Sequence, residues 1–177
     1  MIWFTSDPHF GHEKVIKYSS RPFATVEEMD ETLIQYWNSR VEKKDEVWCL
    51  GDFVFHGSVE GYRARLNGRI HLVLGNHDRR RLSLLDVRLF ESVQDVKYLR
   101  WEGLRFWLSH YAHRTWPKSN RGSYHLYGHS HGDLAGNGRS MDVGVDCNDY
   151  HPISIEEVVK ILDHFPPTNH HTERSIS

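Results

Sequence analysis

The chain is poor in cysteine: its 177 residues include two, Cys49 and Cys147. That is too few for a disulfide framework, and Cys49, inside an apolar run, is expected to be a small core residue. Long hydrophobic runs are missing as well. No stretch approaches the ~20 apolar residues that cross a bilayer, so no membrane partner is expected. No signal peptide is visible. An apolar strand begins at Ile2 and a candidate ligand follows at Asp7, which leaves no room for a removable leader, so the cytoplasm is the expected location. Nor does charge of one sign dominate. The net charge is −2, whereas a dedicated nucleic-acid-binding domain has a pI above roughly 9. The balance is nevertheless uneven: residues 1–60 and 126–177 each sum to −5, and residues 61–125 to +8. That basic middle could face an anionic substrate, or it could decorate solvated helices. With no internal repeat and no linker, one domain over residues 1–165 is expected, followed by a disordered polar tail over 166–177.

Histidine, by contrast, is abundant, with 14 copies beside 38% hydrophobic and 12% aromatic residues. The only adjacent pair is His170-His171, so a purification tag does not account for the number, and metal or proton chemistry is favoured. The histidines fall in a pattern. Residues 69–74 read as a buried strand, and Gly75-Asn76-His77-Asp78 follows. Residues 2–6 are followed by Asp7-Pro8-His9, residues 47–50 by Gly51-Asp52, residues 104–109 by His110, and residues 124–127 by Gly128-His129-Ser130-His131. Five apolar runs thus end in Asp, Asn or His, and in α/β sheets sites form at the carboxyl ends of strands. One shared site is expected. In extended backbone, Asp-x-His and His-x-His would each point two side chains to one face.

Between these runs lie helices. A short one is expected over residues 13–18. A longer one starts at a capping box, Thr25 with Glu28, and carries Met29, Leu33, Ile34, Trp37 and Val41 at helical spacing. Another runs from a Ser58 cap to Leu66, a mixed helical segment covers 79–90, and a last helix follows Ser154. Residues 96–101 and 104–109 alternate around Glu102-Gly103 and read as a hairpin, and 139–146 as a late strand.

The donors are Asp7, His9, Asp52, Asn76, His110, His129 and His131. A closed zinc site takes about four, so seven donors with one shared carboxylate suit two ions roughly 3.5–4 Å apart. Imidazole mixed with carboxylate suits Mn, Fe, Zn or Ni better than Ca or Mg.

These blocks, in this order, resemble the signature of the calcineurin-like metallophosphoesterases, and the length resembles small single-domain bacterial or phage members. The resemblance implies an α/β (α+β) fold, two mixed β-sheets packed as a sandwich and flanked by helices. It implies two divalent ions, with Mn the one expected to support activity: one on Asp7, His9, Asp52 and His131, the other on Asp52, Asn76, His110 and His129, with Asp52 bridging. A hydroxide between them would attack phosphorus, and His77 would act as general acid or charge stabiliser at the leaving group. Asp78 is grouped with the catalytic residues as a group orienting His77 or nearby backbone; the alternative is turn formation after a strand.

The sequence departs from the phosphoprotein phosphatases of this superfamily after Asp52. Phe55 stands where an acidic residue would pair with the catalytic His, and His56 where an Arg would bind phosphate. That disfavours Ser/Thr phosphatase activity. Candidate substrate contacts are then Arg114, His12 and His56; the alternative for Arg114 is an exposed loop side chain. The expected activity is hydrolysis of phosphodiesters or phosphomonoesters of small molecules, nucleotides or cyclic nucleotides foremost, with Phe10, Tyr111 and Trp116 as candidate base-stacking rings. A nuclease drawing on the basic middle segment is the alternative, nucleic acid being the less favoured partner. A non-catalytic scaffold is disfavoured because every expected ligand is present.

Overall fold

The structure, a computed structural model, describes residues 1–80 and 86–168. Side-chain alternation along the strands sets its layers. In β2 (Glu46–Cys49), Val47 and Cys49 point to one apolar cluster, and Trp48, with Leu50 just beyond the strand, to another. The first cluster includes Met29, Leu33 and Trp37 of the helix α2 (Val26–Arg40). The second includes Phe106, Leu108 and Leu126 of a second sheet. A strand apolar on both faces must be covered on both, which gives helix, sheet, sheet in that order.

The first sheet has the order β4-β3-β2-β1-β9. Here β1 (Ile2–Thr5), β2, β3 (Arg69–Val73) and β4 (Ser92–Gln94) are parallel, and β9 (Ile153–Ser154) is antiparallel to β1. The second has the order β5-β6-β7-β8: β5 (Val96–Trp101) and β6 (Leu104–Ser109) form the expected hairpin, and β7 (Tyr124–Tyr127) and β8 (Ser140–Asp142) run parallel to β6. Both sheets are mixed, and the α/β sandwich is the one expected. Cys49 is a buried free thiol.

Helices α1 (Glu13–Tyr18), α2, α3 (Val59–Arg65) and α5 (Ile155–Leu162) fall where spacing and caps place them; the Thr25, Ser58 and Ser154 hydroxyls each accept an N–H of the first turn. Three segments differ from expectation. Helix α4 begins early, at Asn76, and spans Asn76–Arg80; within the segment expected to be helical to residue 90, Val87–Leu89 is a single 3₁₀ turn and residues 81–85 lie outside the described residues. The strand expected over 139–146 stops at Asp142, because its Oδ1 accepts the Gly144 N–H at 2.8 Å and turns the chain into a 3₁₀ turn, Val145–Cys147. The expected tail lies mostly outside the described residues, but Thr168 is buried, and its hydroxyl donates to the Asn137 carbonyl at 3.4 Å. Among the described residues, no helix is long and apolar enough to cross a membrane.

Because β1, β2 and β3 are parallel, their carboxyl ends share one edge of the first sheet; β6 and β7 do the same in the second. The edges meet. Asp7 N–H donates to the Gly51 carbonyl at 3.0 Å within the first edge and Gly128 N–H to the His110 carbonyl at 2.9 Å within the second, while Val145 N–H, donating to the Ser6 carbonyl at 3.0 Å, and His129 N–H, donating to Asp7 Oδ2 at 2.7 Å, join the two.

Candidate metal centre

The turns that carry the donors are not extended. Asp7, His9, Asp52, His129 and His131 have φ of 56°, 52°, 53°, 67° and 48°. The strands end before these residues, so adjacent ligands converge through left-handed turns and not, as expected, through strand alternation. Asp and His tolerate this region better than most residues, yet each instance still costs about 1 kcal/mol or more, and such strain concentrates at functional sites. Close approach fixes the glycines between them. A Cβ on Gly75 would fall on the Asp52 carboxylate, and one on Gly128 on Ser6 Oγ and Asp7 Oδ2.

Donor atoms face one another here. Asp7, His9 and His131 offer ligand atoms within 4.8 Å of each other; so do His9, Asp52 and His77, and so do Asp52, His110 and His129. Asp52 Oδ2 lies 3.6 Å from His9 Nε2, 3.6 Å from His110 Nε2 and 3.9 Å from His77 Nε2, and Asp7 Oδ1 lies 3.7 Å from His9 Nε2. These gaps are too long for hydrogen bonds and suit donors arranged around cations. The remaining atoms are already fixed. His110 Nδ1 donates to the Leu50 carbonyl at 2.8 Å, which leaves Nε2 as a bare lone pair, and that lone pair faces Asn76 Oδ1 at 3.1 Å. Two acceptors in contact repel unless a cation lies beside them. His129 N–H holds Asp7 Oδ2 at 2.7 Å, while the other oxygen, Oδ1, is buried with no hydrogen-bond partner among the described residues. These acceptors fit bound metal.

The electrostatics agree. Burial pushes the Asp7 carboxyl up to about 6, with His110 pulling it down and Asp52 adding to the rise. Burial, then the His131 ring and the Arg21 charge, hold His9 far below its ordinary value, and burial with His110 lowers His129. His9 and His129 are thus kept as neutral lone-pair donors beside the carboxylates, whereas His131 is raised, burial being outweighed by its hydrogen bond to Asp146 and the Asp7 charge.

Comparison with known proteins decides the family. A model described as the calcineurin-like phosphoesterase superfamily domain matches residues 2–141. The chain belongs to this superfamily. It is 32% identical over 174 residues to an uncharacterized protein of Methanocaldococcus jannaschii, covering 92% of this chain and 91% of that one. It is also 32% identical over 182 residues to the gene 66 protein of Mycobacterium phage D29, covering 82% and 88%. A solved structure of a protein of unknown function from Aquifex aeolicus superposes with a TM-score of 0.72 at 27% identity, covering 91% and 98%. The superfamily is generally metal-dependent, and the seven expected ligands are the residues brought together here.

Other expected residues of this phosphoesterase-superfamily chain lie as follows. His77 is at the N-terminal end of α4, its side chain 24% exposed, with its N–H on Asp52 Oδ1 at 2.9 Å. Asp78 does not meet the His77 ring: its buried carboxylate accepts N–H groups of Asp52 (2.7 Å), Gly75 (2.9 Å) and Phe53 (3.1 Å), so its contacts are those of the backbone-orienting role. His12 lines the cavity beside the donors and stacks on Phe55, ring centroids 3.6 Å apart at 6°. The other two candidate substrate contacts, Arg114 and His56, are exposed and do not line that cavity. Among the aromatic candidates, Phe10 is a fully buried core residue and Trp116 is 6% exposed, so neither offers a face to a base; Tyr111 is 47% exposed, 4.5 Å from the His129 ring.

Sequence reading missed Arg21 and Asp146. Arg21 lies before Pro22-Phe23 and Asp146 at the end of the expected late strand, yet the two form a buried ion pair, Nε to Oδ1 at 2.8 Å, beside the donors. An Arg in a loop of Pro and Phe is a weak signal, and its partner lies 125 residues away.

Proposed function

We propose that this chain hydrolyses phosphodiester or phosphomonoester bonds of small phosphorylated molecules, nucleotides or cyclic nucleotides foremost, at a two-ion centre. The observation that carries the reading is Asp52, whose carboxylate stands between the His9 and His110 rings with His77 alongside. Asp7, His9, Asp52 and His131 would hold one ion, and Asp52, Asn76, His110 and His129 the other. Bound divalent ions, Mn first among Mn, Fe, Zn and Ni, would supply an activated water and neutralise phosphoryl oxygens.

The chain's own groups would do the rest. His77, anchored through its N–H to Asp52 and flanked by the Phe55 ring at 4.9 Å, faces the cavity, where its imidazole can protonate a leaving oxygen. The cavity, about 740 Å³, is far larger than one phosphate, so the rest of an ester fits beside the donors. Its outer wall is α1 and the turn after it, with Lys14 for anionic charge, Ser19 and Ser20 for hydrogen bonds, and Tyr18, 73% exposed, as a stacking face.

Four cations of the basic middle segment, on which the nuclease alternative draws, are engaged within the fold. Arg63 donates to the carbonyls of Leu66, Gly68 and Leu89, and Arg65, Arg79 and Arg88 pair with Glu31, Asp95 and Asp86. The test is turnover of bis-p-nitrophenyl phosphate and p-nitrophenyl phosphate by protein loaded with each of the four metals. Turnover of the diester with Mn is expected; no turnover of either ester with any metal would overturn the proposal. Steep loss of cleavage with salt on DNA or RNA would instead favour the nuclease.

A further inference from the structure

Arg21 is the most deeply buried cation among the described residues that contact the donor turns; its side chain has 0% exposure. A guanidinium there is costly unless its N–H groups all find acceptors. They do. Nε and one terminal nitrogen grip the two Asp146 oxygens, each at 2.8 Å, in the fork geometry that suits a carboxylate. The same terminal nitrogen reaches the Asp7 carbonyl at 2.8 Å, and the other reaches the Pro8 carbonyl at 3.0 Å and Met29 Sδ at 3.4 Å. Asp146 Oδ2 also accepts from His131 Nδ1 at 2.7 Å. One buried unit therefore grips the backbone of the Asp7-Pro8-His9 turn, held at positive φ on both sides of the proline, and the ring of His131.

The three donors it touches form one group, Asp7, His9 and His131. Among the described residues, no hydrogen bond or ion pair joins Arg21 or Asp146 to Asn76, His110 or His129. The hydrogen bond to Asp146 occupies Nδ1 of His131, fixes the ring's orientation, and leaves Nε2 as its donor. A carboxylate behind a ligating histidine also raises its basicity.

We propose that Arg21 and Asp146 are positioning residues for one of the two metal positions, the one on Asp7, His9 and His131, and that their loss weakens that position while sparing the other. The inference rests on the two-ion reading above. Neither residue faces the cavity, and neither touches a reacting group.

Mn binding to purified full-length protein tests this, by titration calorimetry and by electron paramagnetic resonance. Wild type should take two ions and show a spin-coupled pair; one ion or none in wild type would sink the two-ion reading itself. Removing Asp146 alone strands a buried guanidinium, so the main variant is Arg21→Met with Asp146→Leu, which removes both charges and keeps volume. Asp146→Asn is the milder second. In whichever variant retains the wild-type circular dichroism, one Mn affinity should fall about 10–100-fold, the range for an outer carboxylate. The other affinity should stay, and the coupled signal should give way to that of an isolated ion. Asp146→Glu should restore part of the coupled signal. Two ions bound with wild-type affinities and an unchanged coupled signal, in either folded variant, would overturn the inference, as would equal loss at both positions.

Discussion

His125 makes the stability of this fold depend on pH in a way that can be worked through. The ring is 0% exposed in β7, on the face of the second sheet away from the first, where the loop that follows His110 covers it with His113 and Trp116. Its Nδ1 donates to the Trp107 carbonyl at 3.0 Å, and its Nε2 accepts the His113 N–H at 2.9 Å. A second proton would have to sit on Nε2, facing that N–H. Burial pushes the ring down to about 4, with the Trp107 carbonyl opposing and the nearby His113 ring adding to the fall. In the unfolded chain the group titrates near 6.5. Above about 6.5 both states are neutral and the stability is whole. As pH drops from 6.5 towards 4, the unfolded chain takes up a proton that the folded chain refuses, so stability falls; below about 4 the loss levels off. The gap is worth about 3 kcal/mol. Urea unfolding of wild type and His125→Gln at pH 7.5 and pH 4, with chelator throughout, isolates it, since titration elsewhere cancels in the comparison. Wild type should lose about 3 kcal/mol more than the variant between the two pH values. Equal losses would refute the reasoning.

His77→Ala should keep both ions and lose turnover, most with poor leaving groups; loss of the ions in a metal titration would mean that His77 ligates. Gly128→Ala places a methyl group on Ser6 and Asp7, so it should cost about 1–3 kcal/mol and weaken metal binding, and an unchanged melting temperature with unchanged affinity would contradict the packing described. Chelation should lower the melting temperature without unfolding the chain. An ion present at about 100 times its Kd contributes about 3 kcal/mol, which for a chain of this size is on the order of 5–10 °C. A melting temperature indifferent to chelator would argue against tight binding.

The strands and the donor set were legible because both follow from side-chain type along short stretches, whereas the two-sheet sandwich followed only from the resemblance of the donor blocks to a known family. Apolar runs closed by a ligand residue, three of them through a Gly, mark a strand and its tip, and five in one chain point to a shared site. The rest depends on contacts between distant segments. Strands β4 and β9 have three and two residues, too short for a period to show. The left-handed turns at His9 and His131 are invisible in a pattern that extended backbone would satisfy equally. Phe10 and Tyr111 are both aromatic neighbours of donors, and only packing decides that Phe10 lies against Phe53 and Tyr62 while Tyr111 meets solvent. The Asp146 pairing with Arg21 joins residues 125 positions apart, which no local stretch reveals.

These longer contacts explain how a strained set of ligands holds its shape. Five donor residues sit at positive φ, and imidazole and carboxylate lone pairs face one another, so relaxation outward would lower the energy of the bare site. What opposes it is hydrogen bonding that does not involve the metal-facing atoms. Asp78 ties the Gly51-Asp52 and Gly75 turns through three backbone N–H groups, and Asp30 accepts the Gly11 N–H and the Tyr62 hydroxyl beneath the His9-to-His12 turn. Arg21 holds the Asp7 and Pro8 carbonyls. Hydrogen bonds of this kind hold the turns through atoms other than the metal-facing ones, unlike a zinc finger, in which metal binding supplies the folding free energy. Cations bound in such a frame would relieve repulsion among donors that the fold already holds, so replacement of a donor should be felt mainly in metal affinity, and replacement of Asp78, Asp30 or Arg21 in affinity and stability together.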